Sequence, residues 1–465
     1  MRLQAMILPL LLALGGCATL GPDYQAPQLQ LAASWQAALP HGGSTTALLG
    51  WWQSFNDPVL SGLMQAAEAD SPTLDQALAA IASARASDGE ASQAGLPTLT
   101  ASGSDTRSGS KGGSASRSSS ALLDASWELD LFGSVRRGRE ASQAALAASQ
   151  ADWHDARVTL AAEVASEYVS YRACQLQLAR YQDNEQSLRN TAAATRAAVA
   201  AGLSAAADGA LIEASLASAH SSLLAQQAEC ELGIKSLVAL TGLDEPQLRA
   251  RLATEPAALP QPATLQVDSV PLQLLSQRPD LVSAERSLAA ASAKIGVAEA
   301  KRYPRLSLLG SLSSTSTLGS GNSQGWSFGP SLSLPIFDGG SSKAALQAAE
   351  ASYQSALAGY RGAVRSAVQE VEQSLVRLDA ASQRAGSVAS AAANYRRYFA
   401  ASEQSWQAGS ASLLTLEQSR RDALSAEQTL ITVQRDRVLY GIALYKALGG
   451  GWQISSQQPA SGDHA

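Results

Sequence analysis

The sequence predicts a mainly α chain that also contributes to a membrane β-barrel: two tandem repeats, each with long coiled-coil helices and two membrane strands. Two observations carry this. Punctuation residues recur 207 positions apart, pairing Pro72 with Pro279, Pro97 with Pro304, Gly103 with Gly310, Gly202 with Gly409 and Gly242 with Gly449. Within each repeat, long Ala-rich helical stretches flank two short segments of strict apolar/polar alternation.

The chain opens with Arg2, an apolar run from Ile7 to Leu14, and Gly15-Gly16-Cys17. This reads as an export signal over 1–16 ending in a lipobox, with Cys17 as the lipid-attachment site, its thiol receiving a diacylglycerol. An ordinary secretory signal with an incidental cysteine is the alternative. Ala18 follows rather than aspartate, so no signal for inner-membrane retention is present. Residues 17–71 form a lipid-anchored N-terminal segment bearing Trp51-Trp52-Gln53-Ser54-Phe55-Asn56-Asp57-Pro58.

Repeat one covers 72–243. Ser71-Pro72 starts a helix, the capping residue and first-position proline being the usual pair, and Pro97 ends it. Strands follow at about 98–107 and 122–132, with a Ser- and Gly-rich loop between them through Ser120. A helix runs from about Gly138 to Ala200, about 95 Å at ~1.5 Å per residue. It breaks at Gly202, and a return helix ends at Gly242. A Pro-rich region, 244–278, joins the repeats. Repeat two, 279–449, replays the order with strands at about 305–315 and 326–337, a helix from Lys343 to Gln407, a break at Gly409 and a return helix to Gly449. Residues 450–465 read as a tail.

The strands have one oily face and one hydroxylated face. Leu306, Leu308, Gly310 and Leu312 alternate with Ser307, Leu309, Ser311 and Ser313, and Leu123, Ala125, Trp127, Leu129 and Leu131 alternate with Asp124, Ser126, Glu128 and Asp130. Segments of about ten residues with this alternation suit a barrel with an apolar exterior and a wet interior. A soluble sheet with one buried face is the competing reading of any single strand. Four strands cannot close a barrel, and lipid tolerates no open sheet edge, so copies of the chain must share one. Three copies would supply twelve strands and twelve helical rods; spacing alone leaves three or four open. In the second long helix, Tyr353, Leu357, Tyr360, Val364, Ala367, Val371, Leu375 and Leu378 form a coiled-coil seam.

Several functions are excluded. No run of 18 apolar residues follows the signal, so no helix crosses a bilayer. A formal charge of −6 on 465 residues gives no basic surplus for nucleic acid. Four scattered histidines make no metal site, and no phosphate loop, dinucleotide fingerprint or nucleophile elbow is present. The chain is expected to be neither an enzyme nor a cofactor carrier. Cys174 and Cys230 each lie 28 positions from Gly202, facing one another across a hairpin. A periplasmic disulfide and a pair of buried free thiols both fit that placement. Arg136, Arg137, Arg139 and Lys343 follow the strands and face either phospholipid head groups or water.

The lipobox, Trp51-Trp52 to Asp57-Pro58-Val59-Leu60, Leu96-Pro97, Tyr303-Pro304, Leu334-Pro335-Ile336-Phe337-Asp338-Gly339-Gly340 and Ala408-Gly409 resemble the TolC/NodT-type outer-membrane factor family across essentially the whole mature chain. The resemblance implies a homotrimer with a 12-stranded β-barrel in the outer membrane, lipid-anchored, on a periplasmic α-barrel of 12 rods. It implies an exit duct of a tripartite efflux pump, docked to a periplasmic adaptor and an inner-membrane transporter, with no catalysis. A duct of the same build for type I protein secretion and a non-spanning coiled-coil lipoprotein spacer are the rivals. The family's gate lies near the hairpin turns, so the resemblance implies a gate at Leu414, Thr415 and Gln418, with adaptor contact at Gly202 and Gly409. Some members carry acidic residues where Thr415 and Gln418 stand; an acidic ring here would come from Asp208, the repeat-one counterpart of Thr415.

Overall fold

The computed structural model describes residues 19–27, 51–112, 115–254, 257–262, 278–318 and 321–450. Cys17 and the tail beyond Gly450 lie outside them. A short 3-10 turn at Trp51–Phe55 leads into α1 (Pro58–Ala69) and α2 (Pro72–Gln93). Repeat one continues with β1 (Thr98–Ser108), β2 (Ser116–Leu129), α3 (Ser134–Ala200) and α4 (Ala206–Thr241), and α5 (Glu245–Leu252) follows in the Pro-rich region. Repeat two comprises α6 (Pro279–Ala300), β3 (Arg305–Thr317), β4 (Gly321–Ser333), α7 (Ser341–Gln407) and α8 (Leu413–Ala447). The starts of α6, β3, α7 and α8 each lie 207 positions after those of α2, β1, α3 and α4.

Strand limits differ from the sequence expectation. β2 starts at Ser116 rather than 122 because Ser116 to Ser120 pair with Ser104 to Ser108. Their Ser-rich composition reads as loop, yet serine is an adequate strand residue where a sheet face meets water. β4 starts at Gly321 and stops at Ser333, opposite Arg305, the first residue of β3; Leu334 to Phe337 have no β3 residue across from them. The long helices begin earlier than expected, at Ser134 and Ser341. Asp130 accounts for the first, accepting from the N–H groups of Val135 at 3.1 Å and Arg136 at 2.9 Å.

The chain divides into two units: Met1–Leu29 with Ala77–Asp152 and Val282–Ala363, and Gln30–Gln76 with Trp153–Leu281 and Val364–Ala465. The first holds one antiparallel four-stranded sheet in the order β1-β2-β3-β4. Its register puts Leu99 beside Ala125, Ala125 beside Gly310 and Gly310 beside Phe328, so one face carries leucine, alanine, tryptophan and phenylalanine across all four strands. The other face pairs Thr100 with Asp124, Asp124 with Ser311 and Ser311 with Ser327. Leu99, Leu312, Trp326, Phe328 and Leu332 on the oily face are exposed in the single chain.

A strap of residues 19–27 crosses the same unit. Leu20 N–H donates to the Phe132 carbonyl at 3.2 Å. Arg137 is buried and grips the strap, donating to the carbonyls of Leu20 and Gly21 and to Asp23 at 2.7 Å, while its remaining arm reaches Glu140. This corrects the head-group expectation for Arg137: its donors are consumed inside the protein. Gly21 and Gly296 pass so closely that a Cβ on Gly21 would stand 2.4 Å from the Gly296 Cα.

The second unit is built on the tryptophan motif. Trp51 stacks on Tyr445 at 5.1 Å and meets Phe55 edge-on, inside a core with Leu60, Leu63, Val164, Leu237, Leu248 and Leu375. The seam of α7 is buried from Val364 to Leu378. Asp57 caps α1 through Leu60 N–H at 2.9 Å, and its second oxygen accepts from the Tyr168 hydroxyl at 2.7 Å. Arg172 in turn donates to that hydroxyl. Asp57→Ala is expected to cost about 2–4 kcal/mol, combining a lost cap and an orphaned buried hydroxyl. Asp57→Asn, which keeps the cap, costs clearly less; thermal unfolding of the detergent-solubilised variants measures both.

Candidate functional site

The hairpins α3–α4 and α7–α8 turn at Gly202 and Gly409, with φ of 72° and 73°. Both close alike: Leu203 N–H bonds to the Ala198 carbonyl and Gly202 N–H to Val199, while Ser410 N–H bonds to Ser405 and Gly409 N–H to Trp406. This double closure needs a left-handed residue, which glycine supplies without strain. A Cβ on either would meet nothing within 4 Å in the chain, so turn conformation, and not crowding, is what these glycines serve.

Past the second turn the return helix is started by a side chain, whereas α4 begins after Ala205 without a side-chain cap. Ser412 accepts from Thr415 N–H at 3.1 Å, and in repeat one the Ser204 hydroxyl donates to Asp208 at 2.7 Å. Leu414, Thr415 and Gln418 share the exposed side of the first turns of α8. Gln418 is held there by Asp422 and Arg421. Asp208 takes the matching place on α4, half-buried. Opposite the exposed side, Leu413 and Leu416 enter a small core with Leu188, Ala192, Ile212 and Ala219, which ties the two hairpins together.

One polar cluster in this region was not anticipated from the sequence. Arg420 is almost fully buried, donates to Glu417 on its own helix and to Thr191 of α3 at 2.8 Å, and lies over the Phe399 ring of α7 at 5.4 Å. Its Nε is buried without a hydrogen-bond partner. Burial raises the Glu417 carboxyl above its ordinary value, against the pull of Arg420. The available signal was spacing: Glu417 and Arg420 fall on the same helical stripe as Leu413, Leu416 and Ala423, where charged residues are rare.

Further along repeat one, Cys174 of α3 and Cys230 of α4 form a disulfide with Cα atoms 5.6 Å apart. Between it and the tip, Glu185 accepts from Arg189 and His220; the Arg189 bond above all holds its carboxyl below the usual range. Among the described residues no group of His, Cys, Asp and Glu has the arrangement of a metal site, and no helix is long and apolar enough to cross a membrane.

The chain matches the sequence profile of the family described as "Outer membrane efflux protein" twice, over residues 63–243 and 270–450, the two matches being 207 positions apart like the elements they cover. It is 31% identical to Nodulation protein T of Rhizobium leguminosarum bv. trifolii over 95% of this chain and 96% of that one. It is 30% identical to the solvent efflux pump outer membrane protein SrpC of Pseudomonas putida, covering 98% of this chain and 100% of the relative. Among solved structures, the outer-membrane channel OprN aligns with a TM-score of 0.82 at 30% identity, over 94% of this chain and 100% of that chain.

Arg420→Met is expected to cost about 3–5 kcal/mol, because it strands Glu417 as a buried charge. Adding Glu417→Gln to Arg420→Met returns most of that loss, read as the shift in unfolding temperature. Reduction of the disulfide, or Cys174→Ser with Cys230→Ser, is expected to remove about 2–4 kcal/mol in the same measurement.

Proposed function

The chain belongs to the outer membrane efflux protein family, and from that premise we propose that it is the outer-membrane exit duct of a tripartite efflux pump. Three copies enclose a 12-stranded barrel with a polar lumen, and small molecules pass through it passively from the periplasmic side to the exterior. The observation that carries this reading is the four-stranded sheet. One face is oily and exposed, the other is hydroxylated, and both edges, β1 and β4, have unpaired outer sides among the described residues. In lipid such a sheet is stable only when further strands satisfy its edges, and the lumen so formed is lined by serine, threonine, Asp124 and Glu128. The relative's name, a solvent efflux pump outer membrane protein, supports export of small molecules.

In this reading Cys17 carries the acyl anchor in the outer membrane. A periplasmic adaptor, and through it an inner-membrane transporter, meets the tips around Gly202 and Gly409, where Leu203 is 83% and Leu414 62% exposed. Leu414, Thr415 and Gln418 from repeat two and Asp208 from repeat one form the gate. Neutral side chains at 415 and 418 leave Asp208 as the acidic member, and the Ser204 hydroxyl already engages it.

Purified protein reconstituted in planar lipid bilayers is expected to conduct in small steps. Leu414→Ser raises the open probability several-fold, whereas Ser342→Ala, outside the proposed gate, leaves it unchanged. A preparation that never inserts and gives no steps would refute the duct.

A further inference from the structure

On α3, Glu163, Ser166, Glu167 and Ser170 recur at helical spacing and form one polar stripe. Val164, Ala165, Tyr168 and Val169 turn the other way and enter the core with Leu60 of α1 and Leu248 of α5. Beside the polar stripe lie two adjoining cavities, of about 620 and 380 Å³, that share Glu167, Ser170 and Ser236. Together they make a groove along α3, walled by α4 on one side and α8 on the other. Ala162, Leu240, Ile442 and Ala443 give the larger cavity an apolar lining.

Glu167 stands in both cavities. It is half-buried and has no hydrogen-bond or ion-pair partner among the described residues. Burial alone raises its carboxyl above the ordinary value, with no cation close enough to pull it back. The backbone of α4 comes near at Gly233, where a Cβ would stand 3.4 Å from Glu167 Oε1. Glycine inside a helix costs about 1 kcal/mol against alanine, and here it leaves room beside the carboxylate. The repeat design does not demand this acid. The positions 207 residues later hold Ser374, buried and donating to the Glu370 carbonyl, and Tyr440 in place of Gly233.

We propose that this groove is a cargo contact on the inner wall of the duct and takes amphiphilic organic cations, the positive group against Glu167 and the apolar body against Ala162, Leu240 and Ile442. The proposal rests on the duct reading and deepens it by naming the class of cargo the wall favours. In a duct, α1 and α5 lie outside the wall, since inside they would obstruct the passage; the opposite side of α3, which holds the groove, then faces the lumen. The volume suits a small molecule. A cation supplies the partner that the half-buried carboxylate lacks. An anion would meet Glu163, Glu167 and Glu229 against Lys446 and an Arg435 already engaged by Asp436.

The test is equilibrium binding of rhodamine 6G, a fluorescent amphiphilic cation, to the full-length protein in detergent, with N-phenyl-1-naphthylamine as the uncharged probe. Glu167→Gln is expected to weaken rhodamine 6G about tenfold and to leave the uncharged probe unchanged. Glu167→Asp, which keeps the charge, retains most of the affinity. Glu90→Gln, which removes an exposed carboxylate on α2, alters neither probe. Equal rhodamine 6G affinity in the unaltered protein and Glu167→Gln overturns the site. An equal loss with both probes also overturns it, because that marks disturbed packing and not a lost charge. The same proteins are placed in planar bilayers. Conductance steps alongside binding that ignores Glu167 leave the duct standing without the site. Unaltered protein that gives no steps overturns the duct, and the cargo contact with it.

Discussion

An open sheet edge has no place in hydrocarbon. Each peptide group left unpaired there costs several kcal/mol, and no water is at hand to relieve it. The sheet of this protein has two such edges and one face built of leucine, tryptophan and phenylalanine. Much of the remaining architecture is conditioned by that constraint. The strands alternate because one face must dissolve in lipid while the other bounds water. The hairpins have matching registers because each repeat carries the same two-strand unit.

Duplication meets the constraint economically. A repeat with two strands, used twice per chain and again in each copy, gives a closed structure from one short design. The 207-residue displacement is preserved from α2 to α8 and in the hairpin registers. The departures are local and have local causes. The start of α3 is capped by Asp130 and that of α7 by Asp338, one position off the repeat, and β4 ends where its intrachain neighbour ends.

Much of this was legible in the sequence. Proline and glycine mark the helix ends directly because both act through the backbone, and period-2 alternation marks strands because side chains alternate across the pleat. The seam from Val364 to Leu378 was readable for the same reason on a helix. Strand limits were less legible, since Ser116 to Ser120 resemble a loop in composition and become a strand only by pairing with Ser104 to Ser108. The roles of Arg137 and Arg420 were not legible. A basic residue at a helix start looks solvated, and only tertiary placement shows Arg137 wrapped around the carbonyls of Leu20 and Gly21. Arg420 reaches its partners on α3 and α7 from far away in sequence, a kind of contact that no local pattern encodes.

The two hairpins match in placement and in their glycine turns but not in covalent structure. Cys174 and Cys230 bond α3 to α4, whereas the positions 207 residues later hold Ala381 and Arg437. One arm of the duplicated design thus carries a covalent rung and the other only non-covalent ones. The first hairpin therefore stays joined at that point even when its helices lose their packing, while the second relies on packing and ion pairs such as Arg396 with Glu427.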